Sequence, residues 1–501
     1  MDEAKVPMRA PEPDRGGIGG HPRGLTTLFF TEMWERFSYY GMRSLLILFM
    51  VAPAAAGGLA FGVRKAAFIY GTYTMSVYLL SIPGGFIADN FLGARRSVLL
   101  GGVVIALGHF TLAISNLGAF YAGLVLIVLG TGLLKPNVSS MVGSLYSPGD
   151  VRRDAGFSIF YVGINLGAFF APLVCGFLAQ SAAFRDWLSA HGLDAARSWH
   201  WGFAAAGAGM TLGLLQYVAG RERLAHVGRP PPASARPWLI LGGVLLASAA
   251  VLALVVLADL SERFAWIRLG YIGAPVAAVL WFGSRGDVTG RRIAAILIFF
   301  VAAMVFWAIF EQAGSTIALF GDMLTDRSLP GGGRFPASYF QSVNSAFVFL
   351  LAPVFAWMWV RLGTRQPSSP LKFTLGLGFA ALSFLFMVPA ARLTAHGLVS
   401  PWWIVGMFLL QTLGELCLSP VGLSVMTKLS PGNLQGLMLG VWFLAAALGN
   451  KVAGILAGSF TSTDPAALGH FFLVEAAWTA AAALVLLALV PWMRRLMGGV
   501  T

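Results

Sequence analysis

The sequence is poor in charge. Only 11% of its 501 residues are Asp, Glu, Lys or Arg, against about 25% in a soluble domain, too few to cover a water-facing surface of this size. Cysteine is equally scarce. Cys175 and Cys417 both lie inside apolar stretches, which excludes a disulfide framework and a thiolate metal site. The seven histidines form no ligand cluster, and neither a metal nor any other cofactor is expected. Cations outnumber acids 34 to 21, yet no run of five occurs, which argues against a nucleic-acid partner. With a mean hydropathy of +0.76, these deficits exclude a disordered chain, a soluble nucleic-acid reader and an ordinary cytosolic enzyme. The surface of such a chain faces lipid.

What is present is a series of apolar stretches of about 20 residues or more, each long enough to cross the roughly 30 Å hydrocarbon core. The hydropathy predicts fourteen spans, at 24–51, 66–88, 97–115, 119–143, 155–179, 201–220, 237–258, 266–284, 293–319, 337–360, 373–391, 402–427, 434–459 and 469–493. Each is expected to be helical, because backbone polar groups in lipid must find partners within their own segment; no alternating strand pattern competes. Residues 1–23, polar and rich in Pro and Gly, read as a disordered cytoplasmic tail without the apolar core of a signal peptide.

The cations between spans set the orientation. Twenty-one fall on the side of the N-terminal tail and nine on the other; Arg36, Arg43, Lys135 and Lys451 lie inside spans. A multi-pass protein of the inner (cell) membrane with both termini in the cytoplasm is expected. The spans group as a six-helix bundle at 24–220, a linker with two additional helices at 221–292, and a second six-helix bundle at 293–501. The bundles echo each other weakly. Each has acids in its first helix (Glu32 and Glu35; Glu311) and a charge near a proline in its fourth (Lys135-Pro136; Glu415 with Pro420). Repeated halves around a midplane site are a transporter architecture.

Ionisable residues within spans are costly and therefore functional candidates. The densest group is Glu32, Glu35, Arg36, Tyr39, Tyr40 and Arg43. At about 100° per residue they occupy roughly 140° of one helix face. Such a stripe must face the bundle interior or a water cavity. Depth pairs the charges further: Lys135 lies level with Glu32, about 12 Å from the cytoplasmic end, which matches it with Glu32 or Glu35, and Arg43 lies level with Glu311. A carboxylate buried alone holds a proton, and a neighbouring cation makes it release that proton. Making and breaking such pairs therefore links proton movement to helix movement. Lys451 is expected either to pair near the outer gate or to snorkel to the interface. Glu475 is expected to be hydrated near the outer end of its helix, and Gly449 and Gly454 to serve close helix packing.

The run Glu32-x-x-Glu35-Arg36-Phe37-x-Tyr39-Tyr40-Gly41 resembles the first-helix signature of the proton-dependent oligopeptide transporters, a branch of the major facilitator superfamily. The likeness continues through Gly85-x-x-x-Asp89-x-x-x-Gly93-x-Arg95-Arg96, Lys135-Pro136-Asn137, Phe160-Tyr161-x-x-Ile164-Asn165-x-Gly167, Phe306-Trp307-x-x-Phe310-Glu311-Gln312, Gly414-Glu415 with Ser419-Pro420-Val421-Gly422, and Trp442-Phe443. The resemblance implies an all-α membrane protein of the major facilitator fold. It also implies a proton-coupled symporter, not an enzyme, that imports di- and tripeptides by alternating access as a functional monomer. Carried over by position, Arg36, Tyr40 and Lys135 would receive the peptide carboxylate, and Glu415, Asn165 and Asn344 the amino terminus. Tyr39, Tyr73 and Trp442 would line side-chain pockets, and Glu32, Glu35 and Glu311 would couple protons, with Arg43 partnering Glu311. Ala168 departs from the Ser usual after Gly167, and residues 66–88 hold no His, so coupling should rest on carboxylates.

Two alternatives stand beside this reading. A symporter of the same fold for nitrate or an anionic metabolite is opposed by Glu415, which would repel an anion lacking an amino group. A membrane-embedded receptor or enzyme is the other; an enzyme needs a nucleophile–base set or metal ligands, and the sequence offers neither.

Overall fold

The computed structural model describes residues 14–147, 150, 152–230, 237–260, 281, 288–430 and 435–498. Among these the regular structure is helical, with two isolated β-bridges. In chain order the α-helices are α1 Arg23–Val51, α2 Val63–Leu79, α3 Ser81–Ile87, α4 Ala94–Leu112, α5 Leu117–Ser144, α6 Arg153–Gln180, α7 Ala182–Ala190, α8 Ser198–Ala219 and α9 Pro237–Leu260. They continue with α10 Val288–Phe310, α11 Thr316–Met323, α12 Ser342–Leu362, α13 Ser369–Leu393, α14 Trp402–Leu429, α15 Gln435–Ala457 and α16 Pro465–Leu496. The expected all-helical span pattern is present, and among the described residues ten helical segments are long and apolar enough to cross a membrane. Large apolar side chains such as Leu107, Leu215, Leu350 and Val360 stand exposed along them, as lipid-facing residues must.

Several details differ from the sequence expectation. The span placed at 66–88 bends after Leu79, continues as α3 and ends in a π turn, Ala88–Leu92. Gly93 closes that turn at φ +73, pressed against the backbone of Arg229 and Pro230, a conformation and a gap that suit a residue without Cβ. The span at 293–319 is broken: α10 stops at Phe310, a 3-10 turn covers Glu311–Gly314, and α11 resumes at Thr316. Ser315 between them sits at φ −130, ψ −88, outside helical geometry. The tail expected to be disordered over 1–23 is ordered from Asp14 to Pro22. Asp14 accepts from the Arg23 and Gly16 amides, and Arg152 donates to the Asp14 and Gly20 carbonyls. Of the two additional helices, α9 lies against α2 and α3, with Trp238 on Phe91; the second, at 266–284, falls outside the described residues apart from Trp281, as do Pro231 and Pro232.

Taking the face from which α1 rises as the near face, α6 and α2 are joined to α12 and α15 towards the far face. Ser342 donates to the Phe169 carbonyl at 2.7 Å, and the Ser338 amide donates to Gln180 at 3.1 Å. Along the α2–α15 crossing Gly71 meets Gly454: a Cβ on Gly454 would stand 2.5 Å from the Gly71 Cα. Gly449 likewise faces Trp307, so both glycines serve close packing. Replacing Gly454 with Val is therefore expected to pry α2 from α15 at a cost of about 1–3 kcal/mol. In a background with both native cysteines replaced, a cysteine at the buried Ala67 beside Gly454 should react faster with a maleimide once Val is present. Equal rates would show that the glycine contact does not hold this joint closed.

Candidate functional site

Geometry follows from the α1 stripe. Glu32, Glu35, Arg36, Tyr39 and Arg43 are all buried, at 0–5% exposure, and Tyr40 is half-buried. The Arg36 Nε lies 3.2 Å from Glu32 Oε1 and also hydrogen-bonds Glu35. Both carboxylates share its helix, one and four residues earlier, so the guanidinium reaches them without another element moving. About two turns further on, Arg43 donates through Nε to the Tyr70 hydroxyl at 2.7 Å and pairs through Nη2 with Glu311. The Arg43–Glu311 pair expected from depth is present, and it joins α1 to the break after α10. The Arg36 guanidinium lies 5.2 Å from the Tyr39 ring centroid and that of Arg43 lies 5.8 Å from the Tyr40 ring, within cation–π range.

The other depth-matched pair is not formed. Lys135 makes no ion pair within 4 Å among the described residues; its Nζ sits 3.5 Å from the Tyr78 ring centroid. Arg36 already occupies Glu32 and Glu35, and equal depth placed Lys135 on their level without setting its direction. The ammonium remains in the joint field of Arg36, Glu35, Glu32 and Glu311.

On the opposing helices, Asn344 of α12 donates from Nδ2 to Glu415 Oε2 at 3.1 Å and to Thr412 Oγ1 at 2.9 Å. Glu415 is thus fixed by an amide. Asn165 is buried in α6 and donates to the Tyr161 carbonyl on its own helix. The Tyr40 hydroxyl lies in the combined field of Arg36, Arg43, Glu311 and Glu415, so it stands where the basic and acidic sets face each other. Trp442 is buried in a notch at Gly422, with its ring 6.2 Å from Phe373. Tyr73 is buried on α2. The hydroxyls of Tyr39 and Tyr73, Glu35 Oε1, Glu32 Oε2 and Arg36 Nη2 are buried and meet no partner among the described residues. A polar cluster built this way retains hydrogen-bonding capacity that a bound molecule could use.

Burial decides two outlying charges. Glu475 is not hydrated: it is 3% exposed and accepts from the Trp478 indole at 3.2 Å and from Gln312 at 3.5 Å. Lys451 does not snorkel, being 1% exposed; it donates to Thr72 at 2.7 Å over the Phe68 ring. Sequence reasoning missed Tyr70, Tyr78, Thr412 and Gln312. The tyrosines at 70, 73 and 78 on α2 were the available signal for the first two, since a repeated polar aromatic within a span rarely faces lipid. Among the described residues no group of three His, Cys, Asp or Glu could hold a metal ion.

The sequence profile of the POT family matches residues 95–472. A relative in Bacillus subtilis (strain 168), described as an uncharacterized transporter, is 44% identical over 89% of both chains. A peptide transporter of Yersinia enterocolitica subsp. palearctica is 41% identical over 95% of this chain and 96% of the relative. Among solved structures, a peptide transporter POT in complex with sulfate is 41% identical and superposes with a TM-score of 0.83, covering 96% of this chain and 97% of the other.

Proposed function

This chain belongs to the POT family and is a multi-pass membrane transporter of the major facilitator fold, and on that premise we propose that it imports di- and tripeptides together with protons. The relatives named for peptide transport, including a di-/tripeptide transporter of Lactococcus lactis subsp. cremoris at 37% identity over 96% of this chain, support the cargo class. The observation that carries the reading is the polarity of the site: Arg36 and Lys135 stand on α1 and α5, while Glu415, held by Asn344, stands on α14. A zwitterion with its carboxylate on the first set and its ammonium on the second would draw the two together.

In this mechanism Arg36, Tyr40 and Lys135 take the peptide carboxylate through charge-assisted hydrogen bonds. Glu415, Asn344 and Asn165 take the amino terminus, and Tyr39, Tyr73 and Trp442 line the side-chain space. Glu32, Glu35 and Glu311 carry the proton. Glu311 couples to helix movement through its pairing with Arg43, which joins α1 to the break after α10. The bundles 24–220 and 293–501 rock about this centre, with the near face cytoplasmic, the membrane the inner (cell) membrane and the monomer the working unit. No catalytic step is assigned to any residue.

Uptake of labelled dialanine into liposomes, with and without a pH gradient, tests the proposal. Gradient-stimulated accumulation, inhibited by unlabelled tripeptide, is the expected result. Accumulation of nitrate and not of dialanine would instead favour the anion reading. Lys135→Ala removes one charged donor for the carboxylate, so dipeptide uptake should fall about 10- to 100-fold. Wild-type uptake by that variant would remove Lys135 from the cargo site.

A further inference from the structure

Glu475 has no part in the contacts to Arg36, Arg43 or Glu415, yet its carboxyl is buried in α16. Both of its side-chain partners are donors: the Trp478 indole three residues along the same helix, and the Gln312 amide from the turn that interrupts α10 and α11. No cation lies within 4 Å of it among the described residues, so it is not one half of an ion pair.

Gln312 is fully buried and holds the turn together. Its Nε2 also reaches the Ala308 carbonyl at 3.2 Å, before the break, and its Oε1 accepts from Thr316 at 2.7 Å, after the break. Through Glu475 the same side chain is tied to α16. Successive residues of a 3-10 turn point about 120° apart. Glu311 therefore faces Arg43 on α1 while Gln312 faces Glu475 on α16. A rotation of the turn that lifts Glu311 off Arg43 must also move Gln312 against Glu475.

We propose that Glu475 is a positioning residue for Glu311. It is a fixed acceptor on α16 that holds Gln312, and through it the turn, so that Glu311 meets Arg43 in one geometry. Glu475 touches neither the cargo nor the transferred proton. The inference rests on the proton-coupled reading above, and its test separates the two.

The full-length protein is reconstituted and labelled dialanine is followed in two modes, gradient-driven uptake and counterflow exchange. If the wild-type protein moves no dialanine in either mode, the transport reading itself fails, whatever Glu475 does. With the wild type active, Glu475→Ala should lose about tenfold in gradient-driven uptake and keep near-wild-type counterflow. Glu475→Gln keeps an acceptor oxygen for Gln312 and should restore gradient-driven uptake. Trp478→Phe removes only the other donor and should match the wild type in both modes. Gln312→Leu breaks the same contact from the opposite side and should reproduce Glu475→Ala, so the test survives if the alanine variant fails to reach the membrane. Unchanged gradient-driven uptake in Glu475→Ala and Gln312→Leu overturns the proposal. So does equal loss of both modes without rescue by Gln, the pattern of a purely structural residue. A Glu475→Gln defect as deep as that of alanine also overturns it, because the carboxyl would then be carrying a proton itself.

Discussion

Proteoliposomes bearing Glu311→Gln should concentrate dialanine no further than its outside level under a gradient that loads the wild type, while counterflow continues. One proton falling through 100 mV supplies about 2.3 kcal/mol, enough for an accumulation of about 50-fold. That drive reaches the cargo only if some group changes protonation in step with helix movement. In the proposed mechanism that group is Glu311. It sits in the turn between α10 and α11, and its partner Arg43 stands on α1, itself held by Tyr70. Gln keeps the shape and a hydrogen bond to Arg43 but can neither take nor release the proton. Transport then equilibrates the peptide without concentrating it. Accumulation at the wild-type level in this variant would remove Glu311 from the coupling and shift the role to Glu32 and Glu35.

Arg36→Ala should abolish transport in both modes. Arg36 is the cation for Glu32 and Glu35 together, all three at most 4% exposed. Removing one partner of a buried ion pair costs about 3–5 kcal/mol, because the remaining charge has no solvent to compensate. The same substitution also deletes the guanidinium proposed to receive the peptide carboxylate. A loss of about 3 kcal/mol in binding alone is a factor of about 150. Arg36→Lys should rescue little, since an ammonium cannot bridge two carboxylates and a cargo in the planar manner of a guanidinium. Counterflow in detergent-stable Arg36→Ala protein is the measurement; near-wild-type exchange would mean the cargo carboxylate is bound elsewhere.

Much of this site was legible along the chain. The stripe from Glu32 to Arg43 follows from helical periodicity alone, since six polar residues share one face. Arg43 and Glu311 could be matched by depth because both helices run unbroken up to those positions and an opposite charge is one way to offset the cost of burying a charge. Lys135 fails the same reasoning for a definite cause. Counting residues from a helix end gives height, but it does not give the direction in which a side chain points, and Arg36 reaches both acids within its own helix. The break at Glu311–Gly314 was hidden because the long apolar stretches on either side outweigh the short polar run Glu311–Thr316, so the whole segment reads as one apolar span. Glu475 was misjudged because nearness to a helix end says nothing of neighbouring helices that cover it.

Residue order along the chain is enough to place it in a membrane as a set of helices and to give the first helix an ionisable face. Both are properties of single residues and of their spacing along one axis, and the cost of polar groups in hydrocarbon leaves no other solution. Which groups meet is set by the packing of the helices: Arg36 with both acids, Lys135 on Tyr78, Glu415 on Asn344 and Glu475 on Gln312. Those partnerships depend on how each helix is rotated and what packs beside it, and contacts between residues distant in sequence set that rotation.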